Sequence, residues 1–370
     1  MAEQIYPEGV VPSYIQRLRP YVPGKPIAEV QKEFGLESVV KLASNENSLG
    51  PSPKAIEAML KVVNEVHRYP GTANTELCAA LAKRYNVKIS NVILGSGSES
   101  IMSNVMRTFL DTSDEVLSVS GTFVGFSVMA HARATAPVLV PLDDYRFNLE
   151  AIAQHITPKT KIIYLCNPNN PTGTYFTKAE LDQFLAQLPK RILVILDEAY
   201  FEFTGDSPDF PDSMRYRHDQ VITLRTFSKA YGLAGLRVGY GLANESLIKE
   251  LYKVKLPFEP SVLAQAAGLG ALEDDDFLNK TLTMNREGRE YFYKEFRRLG
   301  LNFYPTASNF IMLVFPSEDV VNKLNDFTLR RGVIVRPLRG FALPHCARVT
   351  IGTKEENERC VAALEQFLNT

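Results

Sequence analysis

Lys161-Ile162-Ile163-Tyr164-Leu165-Cys166 is followed by Asn167-Pro168-Asn169-Asn170-Pro171-Thr172-Gly173, and then by Arg191-Ile192-Leu193-Val194-Ile195-Leu196-Asp197. Two apolar runs with no polar alternation predict strands buried on both faces, as in a parallel sheet. Between them Thr177 and Glu180, three residues apart, form a capping box that predicts a helix over 178–188. Strand, helix and strand make one crossover unit of an α/β fold.

Working outward, further strands are expected near 92–95, 115–119, 137–140, 221–225 and 236–241, most separated by helix-length segments. Seven strands in this alternation predict a largely parallel sheet covered on both faces. Ser52 caps a helix with Pro53 at its first position, expected to run to about Glu65 with Ile56, Met59, Leu60 and Val63 on one face. Thr75-Glu76-Leu77 opens another. Beyond Leu256-Pro257-Phe258 the pattern changes. Helices are expected over Ser261–Glu273 and Phe277–Leu299, the second ended by Gly300 and opened by the caps Asp274-Asp275-Asp276. Strands near 309–314, 333–336 and 348–351, a helix near 317–330 and a terminal helix over Lys354–Leu368 complete a smaller α/β domain. The proline-rich start (Pro7, Pro12, Pro20, Pro23, Pro26) reads as an extended arm ending in a short helix near Ile27–Phe34. The expected division is an arm over 1–42 that packs on the small domain or on a partner, a large domain over 43–257 and a small domain over 258–370.

The chain has 370 residues, and its 41 basic and 42 acidic side chains nearly cancel, so no global field favours nucleic acid or an anionic membrane. Met1–Val10 lacks a basic region followed by an apolar core, and no apolar run approaches membrane-spanning length. Four dispersed cysteines, Cys78, Cys166, Cys346 and Cys360, read as reduced thiols of a cytoplasmic protein. The five histidines show no metal spacing, so no metal is expected.

In an open parallel sheet, ligands bind beyond the carboxyl ends of the strands. Four sets of polar residues fall there. Asn170 follows strand 161–166, and Asp197 closes strand 191–197 with Tyr200 three residues on. Thr226-Phe227-Ser228-Lys229 follows strand 221–225, and Gly95-Ser96-Gly97-Ser98-Glu99 follows strand 92–95. Each has a plain alternative: a structural ion pair or cap for Asp197, a turn for Asn170-Pro171-Thr172-Gly173, a surface lysine in a polar turn for Lys229, and a tight turn capped by Ser98 for the glycine loop. The third glycine of a dinucleotide fingerprint is missing, since Ser100 stands there, which counts against a nicotinamide cofactor. Together the residue types match the needs of pyridoxal phosphate: a lysine amine (Lys229) for its aldehyde, a carboxylate (Asp197) for its pyridine nitrogen, donors (Asn170, Tyr200) for its phenolate oxygen, and a phosphate cradle from Ser98, Thr226, Ser228 and Arg237.

These stretches, with Asp197-Glu198-Ala199-Tyr200 and Thr226 to Tyr240, resemble the fold-type-I, aspartate-aminotransferase-like superfamily. Ser44 to Pro53, Arg68-Tyr69-Pro70-Gly71 and Arg348 to Thr353 resemble its histidinol-phosphate aminotransferase family. The likeness spans essentially the whole chain. It implies Lys229 as Schiff-base lysine and proton carrier, with Asp197, Asn170 and Tyr200 on the cofactor ring and Phe123 stacked on its face. Gly97, Ser98, Glu99, Thr226, Ser228 and Arg237 fall at the phosphate. The resemblance further implies a homodimer in which Tyr69 reaches the neighbouring subunit's phosphate, and it puts Arg348, Arg336, Tyr21 and Asn47 at the substrate. Arg339 would add charge there or remain a solvated loop residue. The chain departs from the family pattern at Ser48, where most members have Pro, and at Ser96-Gly97-Ser98-Glu99, where they have Asn-Gly-Ser-Asp. The implied reaction moves an amino group between histidinol phosphate and 2-oxoglutarate. Rival readings are an aromatic-amino-acid aminotransferase, a phosphothreonine-type decarboxylase, and a sensor module, which would need a DNA-binding region that the first 43 residues do not offer.

Overall fold

The computed structural model describes residues 9–18, 24–73, 75–216 and 218–370. After a two-residue strand β1 (Val40–Lys41), the chain lays down β2 (Val92–Gly95), β3 (Glu115–Val119), β4 (Val138–Val140), β5 (Thr160–Cys166), β6 (Leu193–Asp197), β7 (Val221–Thr226) and β8 (Gly239–Leu242). These seven form one sheet in the order β2-β8-β7-β6-β5-β3-β4. All run parallel except β8, which is antiparallel to both neighbours. The two apolar runs that define the crossover unit sit at the centre, where Ile162 to Leu165 and Val194 to Leu196 are buried. The helix joining them, Lys178–Ala186, starts at the expected capping box: Thr177 accepts from the Glu180 amide and Glu180 from the Thr177 amide.

The expected strand 236–241 is displaced to Gly239–Leu242. Ala234–Leu236 instead makes a 3-10 turn, and Arg237 takes a left-handed φ of 54°. That break keeps the Arg237 side chain out of the sheet and at its edge. A second difference concerns the helix Pro53–Val62. Ser52 caps it as expected, but Ile56, Leu60 and Val63 are 41%, 66% and 43% exposed. The helix turns its small edge inward instead, Ala55 packing with Ala264, Ala267 and Ala271 of the helix Val262–Leu272, where Gly270 lets the backbones approach.

The remaining strands are β9 (Asn302–Phe303), β10 (Phe310–Val314), β11 (Val333–Ile334), β12 (Arg336–Pro337) and β13 (Cys346–Thr350). Four of them make an antiparallel sheet in the order β12-β13-β10-β9, while β11 pairs with β1 in parallel. The helices Asp275–Arg298, Glu318–Arg330 and Lys354–Leu368 cover this second sheet around Phe292, Phe296, Ile311, Leu313, Val349 and Leu364. The short helix Ile27–Phe34 docks beside them through Val30, which clusters with Leu329 and Ile334. The four cysteines are buried and form no disulfide, and no described helix is long and apolar enough to cross a membrane.

Candidate active site

The strand order brings the four polar loops to one edge. Because β6 pairs with both β5 and β7, Cys166 stands opposite Asp197 and Asp197 opposite Leu224. Since β8 runs the other way, its first residue Gly239 lies beside both Gly95 and Thr226, which end their strands. Arg237 therefore reaches the same edge from the opposite chain direction. A cavity of about 520 Å³ opens there, lined among others by Ser98, Phe123, Asn170, Asp197, Lys229 and Arg237.

At one end is an anion cradle. The helix Ser98–Phe109 begins at Gly97, which takes the N-cap position with φ 80° and ψ 170°, so Ser98 is the first helical residue and not the cap. Only glycine adopts that conformation readily, and a Cβ on Gly97 would lie 2.6 Å from the Arg237 guanidinium. A Cβ on Gly239 would meet the Ser98 amide nitrogen at 2.5 Å. The first-turn amides thus face the cavity with no side chain to cap them, which is the arrangement that binds phosphate. Arg237 donates to Ser228 at 3.4 Å and to the Glu99 carboxylate at 3.3 Å, and Thr226 donates to Ser228 at 3.0 Å. Glu99 therefore enters through its ion pair with Arg237, its carboxylate itself being unsuited to face an anion.

On the floor lies Asp197. Its carboxylate accepts from the Tyr164 hydroxyl at 2.9 Å and from the Ala199 amide at 3.2 Å, and no cation among the described residues bonds to it. Burial pushes its pKa up to about 6 against those two bonds. The Tyr164 contact was not foreseen from sequence. Its signal was a single polar-tipped side chain within an otherwise aliphatic strand.

Lys229 points its amine into the cavity, donating to the Ser44 carbonyl at 3.2 Å. Burial, then the positive charge of Arg348, brings its pKa down to about 8, so near neutral pH a sizeable fraction is the nucleophilic free base. Tyr200 is buried, its hydroxyl accepts from Asn45 at 2.8 Å, and burial raises its pKa. Asn45 is a further residue that sequence reasoning passed over. Asn170 accepts from Arg348 through Oδ1, which leaves its Nδ2 hydrogens for a ligand in the cavity.

Arg348 is 4% exposed, donates to the Ala43 carbonyl at 2.8 Å, and lies over the rings of Phe310 and Phe341. Arg336 stands directly opposite it across β12 and β13. Paired positions put both side chains on the same face of that sheet.

Two expected residues, Asn47 and Arg339, lie elsewhere. Asn47 is turned into the scaffold, donating to the Ala230 carbonyl and to Thr281, each at 3.0 Å, and accepting from the Leu49 amide at 3.0 Å. With its amide used this way, it fixes the Lys229 segment and does not line the cavity. Tyr69 is 80% exposed, outside this chain's own cavity, stacked on Phe258 at 4.3 Å. Tyr21 lies outside the described residues. Arg339 is at the surface, paired with Glu318 at 3.2 Å. Among the described residues no group of His, Cys, Asp and Glu is placed to hold a metal ion.

Residues 37–364 match the family model for aminotransferase class I and II. The chain is 41% identical to a histidinol-phosphate aminotransferase of Anaeromyxobacter sp. (strain Fw109-5), over 97% of this chain and 99% of that one. The chain belongs to the histidinol-phosphate aminotransferases, within class I and II. The corresponding protein of Moorella thermoacetica is 42% identical, over 96% of this chain and 92% of its own length. A histidinol-phosphate aminotransferase from Sinorhizobium meliloti, solved in complex with pyridoxal-5'-phosphate, superposes with a TM-score of 0.89 at 25% identity over 99% of both chains. As a class I and II aminotransferase the enzyme depends on pyridoxal phosphate. Its cavity fits that group: a buried carboxylate bonded to no cation among the described residues, an uncapped helix start with an arginine, and an amine face one space.

Proposed function

We propose that this aminotransferase moves an amino group between L-histidinol phosphate and 2-oxoglutarate, giving imidazole-acetol phosphate and L-glutamate in histidine biosynthesis. The observation that carries the substrate assignment is the Arg336 and Arg348 pair, set opposite each other across two strands. One substrate ends in a phosphate dianion and the other in a carboxylate, and a guanidinium accepts either through paired N–H groups. Arg348 takes the anion common to both half-reactions, and Arg336 adds the charge a dianion needs.

Pyridoxal phosphate, when bound, supplies an aldehyde for the amine and an electron sink for the charge left on the substrate α-carbon. The chain's own residues do the rest. Lys229 holds the group covalently, then as a free amine takes the proton from the donor's α-carbon and later returns one to the α-carbon of the acceptor. Asp197 would keep the ring nitrogen protonated and so keep the sink open, that cation in turn offsetting the burial that raises the carboxyl's pKa. Asn170 and Tyr200 donate to the phenolate oxygen, Tyr200 being held neutral by burial. Phe123, which lines the cavity, covers one ring face. Ser98, Thr226, Ser228, Arg237 and the amides at Gly97 to Glu99 hold the phosphate.

The large unit over 43–257 provides this floor and the small unit over 258–370 provides both arginines. Tyr69 completes the phosphate site of a second copy. In support, Ile56, Leu60, Val63, Val66 and Tyr69 form an exposed apolar run that a soluble monomer would rarely leave uncovered. This supports the reading of the enzyme as a homodimer with two shared sites, which we place in the cytoplasm. The test is steady-state kinetics on purified enzyme with histidinol phosphate, phenylalanine and tyrosine as donors, with borohydride trapping of the cofactor. Histidinol phosphate should give the highest kcat/KM and residue 229 should carry the label. A preference for the aromatic donors overturns the substrate, and an unlabelled Lys229 overturns the mechanism.

A further inference from the structure

A two-residue hairpin joins the site's parts at a distance. Asp143 and Arg146 exchange backbone hydrogen bonds of 2.9 and 2.8 Å around Asp144 and Tyr145, whose φ angles are 45° and 61°. Positive φ at both central positions defines a turn that asparagine and glycine favour, so a tyrosine there is strained. Strain of this kind persists only where the surroundings over-determine it.

They do so here. The Tyr145 hydroxyl is hydrogen-bonded to His345 Nε2 at 2.8 Å, and its ring packs 4.7 Å from Tyr304, which in turn donates to Asp144. Its carbonyl accepts from Thr174 at 2.8 Å. From Thr174 the bonds continue to Thr172 at 2.8 Å and from there to Asn169 at 2.9 Å, and Asn169 donates to the Gly121 carbonyl at 3.0 Å. Asn169 adjoins Asn170, Gly121 lies two residues before Phe123, and His345 immediately precedes the strand that carries Arg348. The strained tip therefore ties the seven-stranded sheet's two cofactor loops to the entry of β13, while Tyr145 itself does not line the cavity.

We propose that Tyr145 is a positioning residue that, through His345, holds the arginine-bearing strand in register with the Asn170 and Phe123 loops and so sets the affinity of the site for its anionic substrates. The proposal rests on the aminotransferase reading above. The variant Tyr145→Phe keeps the ring and the turn but loses the hydroxyl. In the holoenzyme it should raise KM for both histidinol phosphate and 2-oxoglutarate roughly five- to tenfold, with kcat within about twofold and the cofactor absorbance unchanged. His345→Leu should do the same, His345→Gln, which retains a polar atom near the Nε2 position, should restore most of the affinity, and Tyr145→Phe combined with His345→Leu should be no worse than either alone. Unaltered KM values in Tyr145→Phe, a fall in kcat alone, or effects of the two changes that multiply would each overturn the proposal. A purified wild-type protein that takes up no pyridoxal phosphate would instead overturn the functional reading on which it rests.

Discussion

Asp197 and Glu198 are neighbours at the end of one strand, both essentially buried, and their surroundings are opposite. Successive side chains leave a strand on opposite faces, so the two carboxylates look into different environments. Glu198 receives Arg225 at 2.7 and 2.9 Å on one oxygen and the Ser213 amide at 3.2 Å on the other. Arg225 is 1% exposed, also bonds to Asp212 at 2.9 Å, and lies 3.3 Å from the centre of the Phe201 ring. That charge is balanced by the chain itself. Among the described residues Asp197 has only a phenol and one amide. A buried charge that the protein leaves without a counterion is where a ligand's cation belongs, whereas a balanced one beside it is scaffold.

The two faces should fail in different ways when altered. On the cavity side the largest effect belongs to Lys229→Ala, which on the proposed mechanism removes both the covalent tether and the proton carrier. Turnover should fall by roughly 10⁴-fold or more, with no borohydride-fixed label and a folded protein of ordinary melting behaviour. Residual turnover within tenfold of wild type would show that another group moves the proton.

Asp197→Asn should fall next, by about 10²-fold or more in kcat, because the ring nitrogen loses its ionic partner. Its stability effect has the opposite sign. The carboxyl's pKa is raised to about 6 in the fold from an ordinary value of 3.8, so its favourable neutral form is present below about pH 4 and lost as pH rises through 6. In the cofactor-free protein, Asn should therefore add on the order of 1–3 kcal/mol at pH 8 and almost nothing at pH 4. Urea melts of the two cofactor-free proteins at both pH values decide this. A destabilised Asn variant at pH 8 would mean that the carboxylate has a counterion within the chain after all.

Glu198→Ala attacks the balanced side. It strands a buried guanidinium with Asp212 and the Tyr85 hydroxyl as its remaining hydrogen-bond partners, and breaking one partner of such a pair costs about 3–5 kcal/mol. Melting should drop sharply while the kcat of the molecules that remain folded stays near wild type. If instead stability held and kcat collapsed, the distinction between the two faces would be lost.

Much of this contrast was legible before any coordinates. Asp197 closes an aliphatic strand and Lys229 follows another, and the rule that ligands gather at the carboxyl ends of parallel strands was enough to bring them together. Strands such as β2, β5 and β6 were visible because a strand buried on both faces is a nearly continuous apolar run, whereas the break at Arg237 that displaces β8 left no such mark. What sequence concealed depends on partners remote in the chain. Tyr164 reads as one more core aromatic until β5 is paired with β6. Asn47 reads as a ligand-facing amide until Ala230 and Thr281 are seen to consume it. The outward turn of Ile56, Leu60 and Val63 was equally hidden, since periodicity finds an apolar face without saying whether this chain or another copy covers it. Only the small residues at Ala264, Ala267, Gly270 and Ala271 explain why the helix Pro53–Val62 packs by its narrow edge.

That uncovered face sets the last and smallest test. Among the described residues the Tyr69 hydroxyl makes no hydrogen bond, although the ring is held by stacking on Phe258, whose own φ of 62° is unusual for a non-glycine residue. The arrangement orders the ring and leaves the oxygen facing outward. If that oxygen meets the phosphate of a second copy's cofactor, Tyr69→Phe keeps the stack and removes one hydrogen bond to a charged group, worth about 1.5–3 kcal/mol. Cofactor release from the variant, followed by the decay of its visible absorbance under dialysis, should then quicken by roughly tenfold or more, and sedimentation should find the proposed dimer in wild type and variant alike because the aromatic contact area is unchanged. Equal release from wild type and variant would confine Tyr69 to the apolar contact, and each site would then be complete within one chain.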